Sequence, residues 1–152
     1  MVASPKTAAN RLAWFTEARF GMFIHWGAYS VPARNEWVML QDRIPTAEYR
    51  RYGEQFKAEK YDPKTWVKLA QDAGMRYMVL TTRHHDGFSL FDSRLSDFTA
   101  PRCGPQRDLV AEYAEACHEA GMRCGFYYSL GDWRYRAQFS GQPLRSGALA
   151  LR

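Results

Sequence analysis

The chain has 152 residues, 46% of them hydrophobic and 24% charged, which suits one folded domain with a core of its own. A mean hydropathy of -0.51, with no apolar run near the ~20 residues of a membrane-spanning helix, gives no expectation of a membrane span. The net charge of +5 invites a nucleic-acid partner, but Arg134, Arg136, Arg145 and Arg152 supply four of those charges in an acid-free tail. Residues 1–133 are nearly neutral, which argues against such a partner.

The first residues, MVASPKTAANRLAWF, lack the apolar stretch of a secretory signal, so a cytoplasmic location is expected. Three cysteines, Cys103, Cys117 and Cys124, are odd in number and show no CxxC spacing, as expected of free thiols. The first predicted strand is Phe20–Ile24, running into His25-Trp26-Gly27. A long segment follows, with a helix expected over Ala47–Phe56; insertions of that size after a strand commonly serve a site.

A weak repeat comes next. Ala73-Gly74-Met75-Arg76 opens the strand Tyr77–Leu80, and 47 residues later Ala120-Gly121-Met122-Arg123 opens Cys124–Tyr128. Each copy follows a helical pattern. In the first, Asp62 caps, Pro63 suits the first turn, and Trp66, Leu69, Ala70 and Ala73 share a face. In the second, Asp108 caps and Leu109, Tyr113, Ala116, Cys117 and Ala120 form the stripe. Gly74 and Gly121 stand where a helix end favours positive φ.

Helix, glycine, short strand is the unit of an α/β fold with parallel strands. A nucleotide-binding sheet would carry a glycine-rich loop after its first strand, and His25-Trp26-Gly27-Ala28-Tyr29-Ser30 is too bulky for one. The expectation is therefore a partial (β/α)8 barrel. A complete barrel takes about 250 residues, so this chain supplies about three of the eight units. Residues 1–133 form that part, and 134–152 read as an atypical basic tail, disordered or loosely attached.

Barrel sites gather at the C-terminal ends of strands. Three of the four histidines, His25, His84 and His85, fall there, whereas His118 lies on a helix and reads as a surface residue. Adjacent strand residues face opposite ways, so His84 and His85 share a pocket only where the strand ends. Neither His-x-His nor HExxH spacing occurs. A metal hydrolase is the weaker alternative, and imidazoles hydrogen-bonding substrate hydroxyls the stronger. Aromatic content is 15%, with Trp26, Trp37, Tyr127, Tyr128 and Trp133 near strand ends, as stacking on sugar faces would require. Glu36, Asp86 and Asp132 are candidate carboxylates, yet none comes with a recognisable acid/base partner. No GxSxG and no Cys–His pairing appears.

RFGMFIHWGAYSVPARNEW (19–37), TTRHHDGFSLFDSRLSDFTAPRCGPQRDLVAEYAEAC (81–117) and AGMRCGFYYSLGDWR (120–134) resemble, in order, three blocks of the glycoside hydrolase family 29 α-L-fucosidases. The resemblance runs over about residues 10–134. It implies a (β/α)8-like catalytic domain, retaining cleavage of terminal α-L-fucose, a fucosylated glycan or fucoside as substrate, and neither cofactor nor metal. By motif position, His25, Glu36, Trp37, His84, His85 and Tyr127 would line the fucose pocket. Val38 departs from the family, which often has an aromatic residue there. The family's nucleophilic aspartate and its acid/base residue lie on later strands, and residues 135–152 match neither. The expectation is a truncated or frame-shifted product, inactive alone, with a non-catalytic fucose-binding remnant as the alternative.

Overall fold

The structure, a computed structural model, describes residues 8–135. Helix α1 (Ala8–Ala18) precedes strand β1 (Gly21–Ile24), after which come a 3-10 turn (Ala28–Ser30), α2 (Val38–Gln41) and α3 (Thr46–Gln55). Then α4 (Pro63–Asp72) leads into β2 (Tyr77–Arg83), and α5 (Leu109–Glu119) leads into β3 (Arg123–Tyr128). The strands make one parallel sheet in the order β1-β2-β3, with Phe23 opposite Val79 and Leu80 opposite Phe126.

Both repeat units form as their sequences dictate. The Asp62 carboxylate accepts from the backbone N–H of Lys64 and Thr65, and that of Asp108 accepts from Ala111, satisfying N–H groups a helix start leaves free. Gly74 (φ 77°) and Gly121 (φ 65°) then turn the chain out of helix and into strand. Leu109, Tyr113, Ala116 and Cys117 are buried as expected, and Ala120 is exposed. On α4 the buried face is Pro63, Val67 and Ala70, whereas Leu69 lies 59% exposed. The β2 strand runs three residues beyond Leu80, because Thr81, Thr82 and Arg83 find buried polar partners.

Side chains alternate across the sheet. Met78 and Leu80 are fully buried on the face where the Phe126 ring meets Tyr113 of α5. The other face carries Phe23 and Tyr127, with ring centroids 6.0 Å apart, and Phe23 is half exposed. At the N-terminal ends of the strands, α1 sets Trp14 and Phe15 against Tyr77, and the Arg123 guanidinium lies 4.6 Å from the Trp14 ring centroid. The 84–108 connection is packed: Phe88, Leu90, Phe98 and Ala100 are buried, and Leu90 N–H donates to the Thr82 carbonyl. Helix α3 approaches this segment at Gly53, where a Cβ would lie 2.5 Å from the Phe98 ring. His118 is exposed on α5, the three cysteines are free thiols, and no helix among the described residues is long and apolar enough to cross a membrane. Of the tail expected over 134–152, Arg134 is tied to Asp132, and residues 136–152 lie outside the described residues.

Candidate functional site

Each strand contributes to one cluster at its C-terminal end. β1 stops at Ile24, which leaves His25 on the face that carries Phe23, and the two rings lie 5.9 Å apart. Thr81 of β2 holds the following residue: its hydroxyl accepts from Trp26 N–H and donates to the Trp26 carbonyl, both at 2.8 Å. The 3-10 turn brings Tyr29 back beneath His25, with Oη 2.7 Å from Nδ1.

β2 ends at Arg83, and a turn closes at once. Gly87 (φ 80°) donates its N–H to the His84 carbonyl. Strand alternation therefore no longer applies to His84 and His85, whose ring centroids lie 4.4 Å apart. His84 reaches His25 at 4.9 Å, and Tyr127 of β3 lies 5.9 Å from His84 with the rings 23° from parallel.

Beyond β3, Ser129 donates its N–H to the Arg83 carbonyl and sets its hydroxyl against His85 Nδ1. Trp133 N–H donates to the His85 carbonyl at 2.7 Å. The Trp133 ring lies 5.0 Å from His85 and 5.1 Å from Trp37, and Trp37 is 5.5 Å from His85. Trp37 is 41% exposed and gives the cluster an open aromatic wall. Glu36 is half-buried and, with His25, Tyr29, Ser30 and Asn35, lines a cleft of about 240 Å³.

Electrostatics keep two of the imidazoles neutral. Burial pushes His84 down to about 4, helped by the neighbouring His85 and His25 and opposed by Glu36. Burial also lowers His25, again against the pull of Glu36. His84 Nδ1 is buried with no hydrogen-bond partner among the described residues, a cost to stability.

The other two candidate carboxylates serve the scaffold. Asp86 is buried, accepting from Tyr49 Oη at 2.7 Å and Phe88 N–H at 3.1 Å, and burial raises it to about 6. Asp132 pairs with Arg83 and Arg134; burial would raise it, but the Arg134 bonds and both guanidinium charges hold it below the usual range. Arg83 also donates to the Ser129 carbonyl at 2.6 Å, so this buried network fixes the loop after β3. Among the described residues no three His, Cys, Asp or Glu side chains are arranged to hold a metal ion.

All six residues expected at the site thus converge: His25, Glu36, Trp37, His84, His85 and Tyr127. Trp26 and Tyr128 do not join them. Trp26 packs on Phe56, Tyr61 and Trp66, and Tyr128 turns to the helix-covered face beneath Arg83. Tyr29, Thr81 and Ser129 were not anticipated. The signal for Tyr29 was its distance of four residues from His25 across one tight turn; for Ser129 it was the position just past a strand end.

Comparison with known proteins gives the family. The family described as Alpha-L-fucosidase matches residues 3–147, beyond both ends of the stretch on which the resemblance rests. The chain belongs to the alpha-L-fucosidase family. Human tissue alpha-L-fucosidase is 41% identical over 138 residues, covering 80% of this chain and 30% of the human protein. Alpha-L-fucosidase isoenzyme 1 from Paenibacillus thiaminolyticus superposes with a TM-score of 0.81 at 47% identity, over 88% of this chain and 35% of that one. The Lactobacillus casei alpha-L-fucosidase in complex with its alpha-L-fucose product gives 0.78 at 39% identity, over 82% of this chain and 42% of that one. The chain therefore spans about a third of the fucosidases it matches.

Proposed function

We propose that the chain supplies the first three βα units of a (β/α)8 α-L-fucosidase catalytic domain and, within it, the recognition of terminal α-L-fucose. The observation that carries this reading is the convergence of His25, Glu36, Trp37, His84, His85 and Tyr127 at the C-terminal ends of three adjacent parallel strands. A barrel interior would account for the half-exposed Phe23 on the site face, and a fourth unit for the half-exposed Phe126 and Tyr128. Neutral imidazoles offer both a donor and an acceptor to sugar hydroxyls, and Trp37 offers a flat apolar surface to the sugar's C–H face. The product complex of the Lactobacillus casei relative supports fucose as the ligand.

Recognition and bond cleavage are separate here. Retaining hydrolysis needs two carboxyl groups roughly 5–5.5 Å apart, one as nucleophile and one as acid/base. Glu36 borders the imidazole cluster, whereas Asp86 and Asp132 are spent on Tyr49, Phe88, Arg83 and Arg134. The 152-residue chain on its own is accordingly expected to bind L-fucose weakly and to leave an aryl α-L-fucoside intact. Calorimetry with L-fucose and a chromogenic fucoside assay test both parts. Heat on binding that is lost in Trp37→Ala supports the reading. Turnover by the purified chain would sink the division of labour, and indifference to L-fucose would sink the recognition.

A further inference from the structure

We infer that Tyr29 and Ser129 are positioning residues that lock His25 and His85 into opposite tautomers, so that the pocket offers a fixed N–H donor at His25 Nε2 and a fixed bare acceptor at His85 Nε2. The inference rests on the fucose-pocket reading for its purpose and on proton counting for its content.

Ser129 has one hydroxyl proton and two partners. The Gly131 carbonyl, 3.1 Å from Oγ, can only accept, and its other donor, Arg83 Nη1, stands further off at 3.4 Å, which assigns the Ser129 proton to it. His85 Nδ1 must then donate to Ser129 Oγ, which leaves His85 Nε2 unprotonated. The backbone supports this arrangement from both sides, since Ser129 N–H is bound to Arg83 and the His85 carbonyl is bound by Trp133 N–H.

At His25 the count runs the other way. The Thr81 hydroxyl proton is committed to the Trp26 carbonyl at 2.8 Å, and Trp26 N–H occupies one of its lone pairs. Tyr29 Oη therefore receives nothing from Thr81 and must place its own proton. Its choices are His25 Nδ1 at 2.7 Å, within the normal hydrogen-bond range, and Thr81 Oγ1 at 3.3 Å, beyond it. The phenol donates to His25 Nδ1, and the ring proton sits on Nε2. Burial keeps Tyr29 protonated throughout the neutral range, so the donor is permanent.

A pocket with one fixed donor and one fixed acceptor selects for the direction of hydroxyl hydrogen bonds as well as for their positions. A sugar must present a hydroxyl oxygen to His25 and a hydroxyl proton to His85. An analogue in which an acceptor-only group replaces the hydroxyl at His85 leaves one lone pair facing another, the kind of mismatch that polar sites reject strongly.

The test is spectroscopic and needs no turnover. Long-range ¹H–¹⁵N correlation of imidazole nitrogens, in the 152-residue chain labelled with ¹⁵N, shows which ring nitrogen carries the proton. It is run well above the usual imidazole titration range. The expected result is Nε2–H for His25 and Nδ1–H for His85, with exposed His118 as the averaging control. Tyr29→Phe should release His25 into a mixture and leave His85 fixed. Ser129→Ala should do the converse, and Ser129→Thr should restore the His85 pattern. Every contact invoked lies within this chain, so averaged patterns or reversed tautomers at His25 and His85 overturn the inference. Adding L-fucose separates the two readings. Fixed tautomers with no response to the sugar would end the fucose assignment alone; a response with averaged tautomers would end this inference alone.

Discussion

Burial disfavours the charged form of both His84 and Asp86, two positions apart, and so moves their titrations in opposite directions. Asp86 is held at about 6 against an ordinary 3.8, and His84 at about 4 against 6.5. As pH rises from about 4 to about 6, the unfolded chain loses the Asp86 proton while the folded chain keeps it, so this group makes folding less favourable. As pH falls from about 6.5 to about 4, the unfolded chain gains the His84 proton while the folded chain refuses it, so stability drops toward acid. The two slopes oppose each other across the same window and flatten the profile. His84→Gln should expose the Asp86 slope, a loss on the order of 3 kcal/mol as pH rises from about 4 to about 6. Asp86→Asn should expose the reverse slope, with stability falling on acidification. Urea denaturation at a series of pH values checks both, and equal slopes in the two variants would remove the assignment.

At the scale of elements, the two helix caps differ in reach. Asp62 accepts only within its own first turn, from Lys64 N–H, Thr65 N–H and Thr65 Oγ1. Asp108 caps α5 and also accepts from Asp92 N–H across the long connection. Asp62→Ala should lower the urea midpoint, and Asp108→Ala should lower it further; an equal drop would mean the tertiary bond adds nothing. These caps, Gly74 and Gly121 made both repeat units readable from sequence, because each is a local rule enforced by nearby atoms. Helix α1 was not readable. It has no acidic residue in its first turn, and what holds it is Tyr77 and Arg123, far along the chain. Leu69 fits a helical stripe yet faces outward, since the α4 surface facing the protein is set by where β2 and α5 lie. The clustering of His25, His84, His85 and Tyr127 was legible because all four stand at strand ends, whereas Glu36 and Trp37 were placed beside them by motif position alone. Tyr29 and Ser129 were not legible, because each acts through a hydrogen bond whose partner only the fold supplies.

Across the whole molecule, apolar side chains crowd one margin of the sheet. Phe126 and Tyr128 on β3 are half exposed, and Leu130 just beyond is 91% exposed. Among the described residues β3 pairs only with β2, so its outer edge also presents free backbone groups. The 152-residue chain should therefore associate as its concentration rises and bind a hydrophobic dye. Phe126→Lys should raise the concentration for association several-fold, read by light scattering; no change would shift the cause away from this margin. The same sheet has another consequence. His25, His84 and Tyr127 are carried by three different strands or their ends, so a small ring held by all three would be a strut across the sheet. Such a ligand adds RT ln(1 + [L]/Kd) to the folded state, about 2.7 kcal/mol at a hundred times Kd. For a sheet with bare margins, a sugar bound in this way would be a piece of the architecture, and its concentration in the surroundings would set how much of the chain is folded.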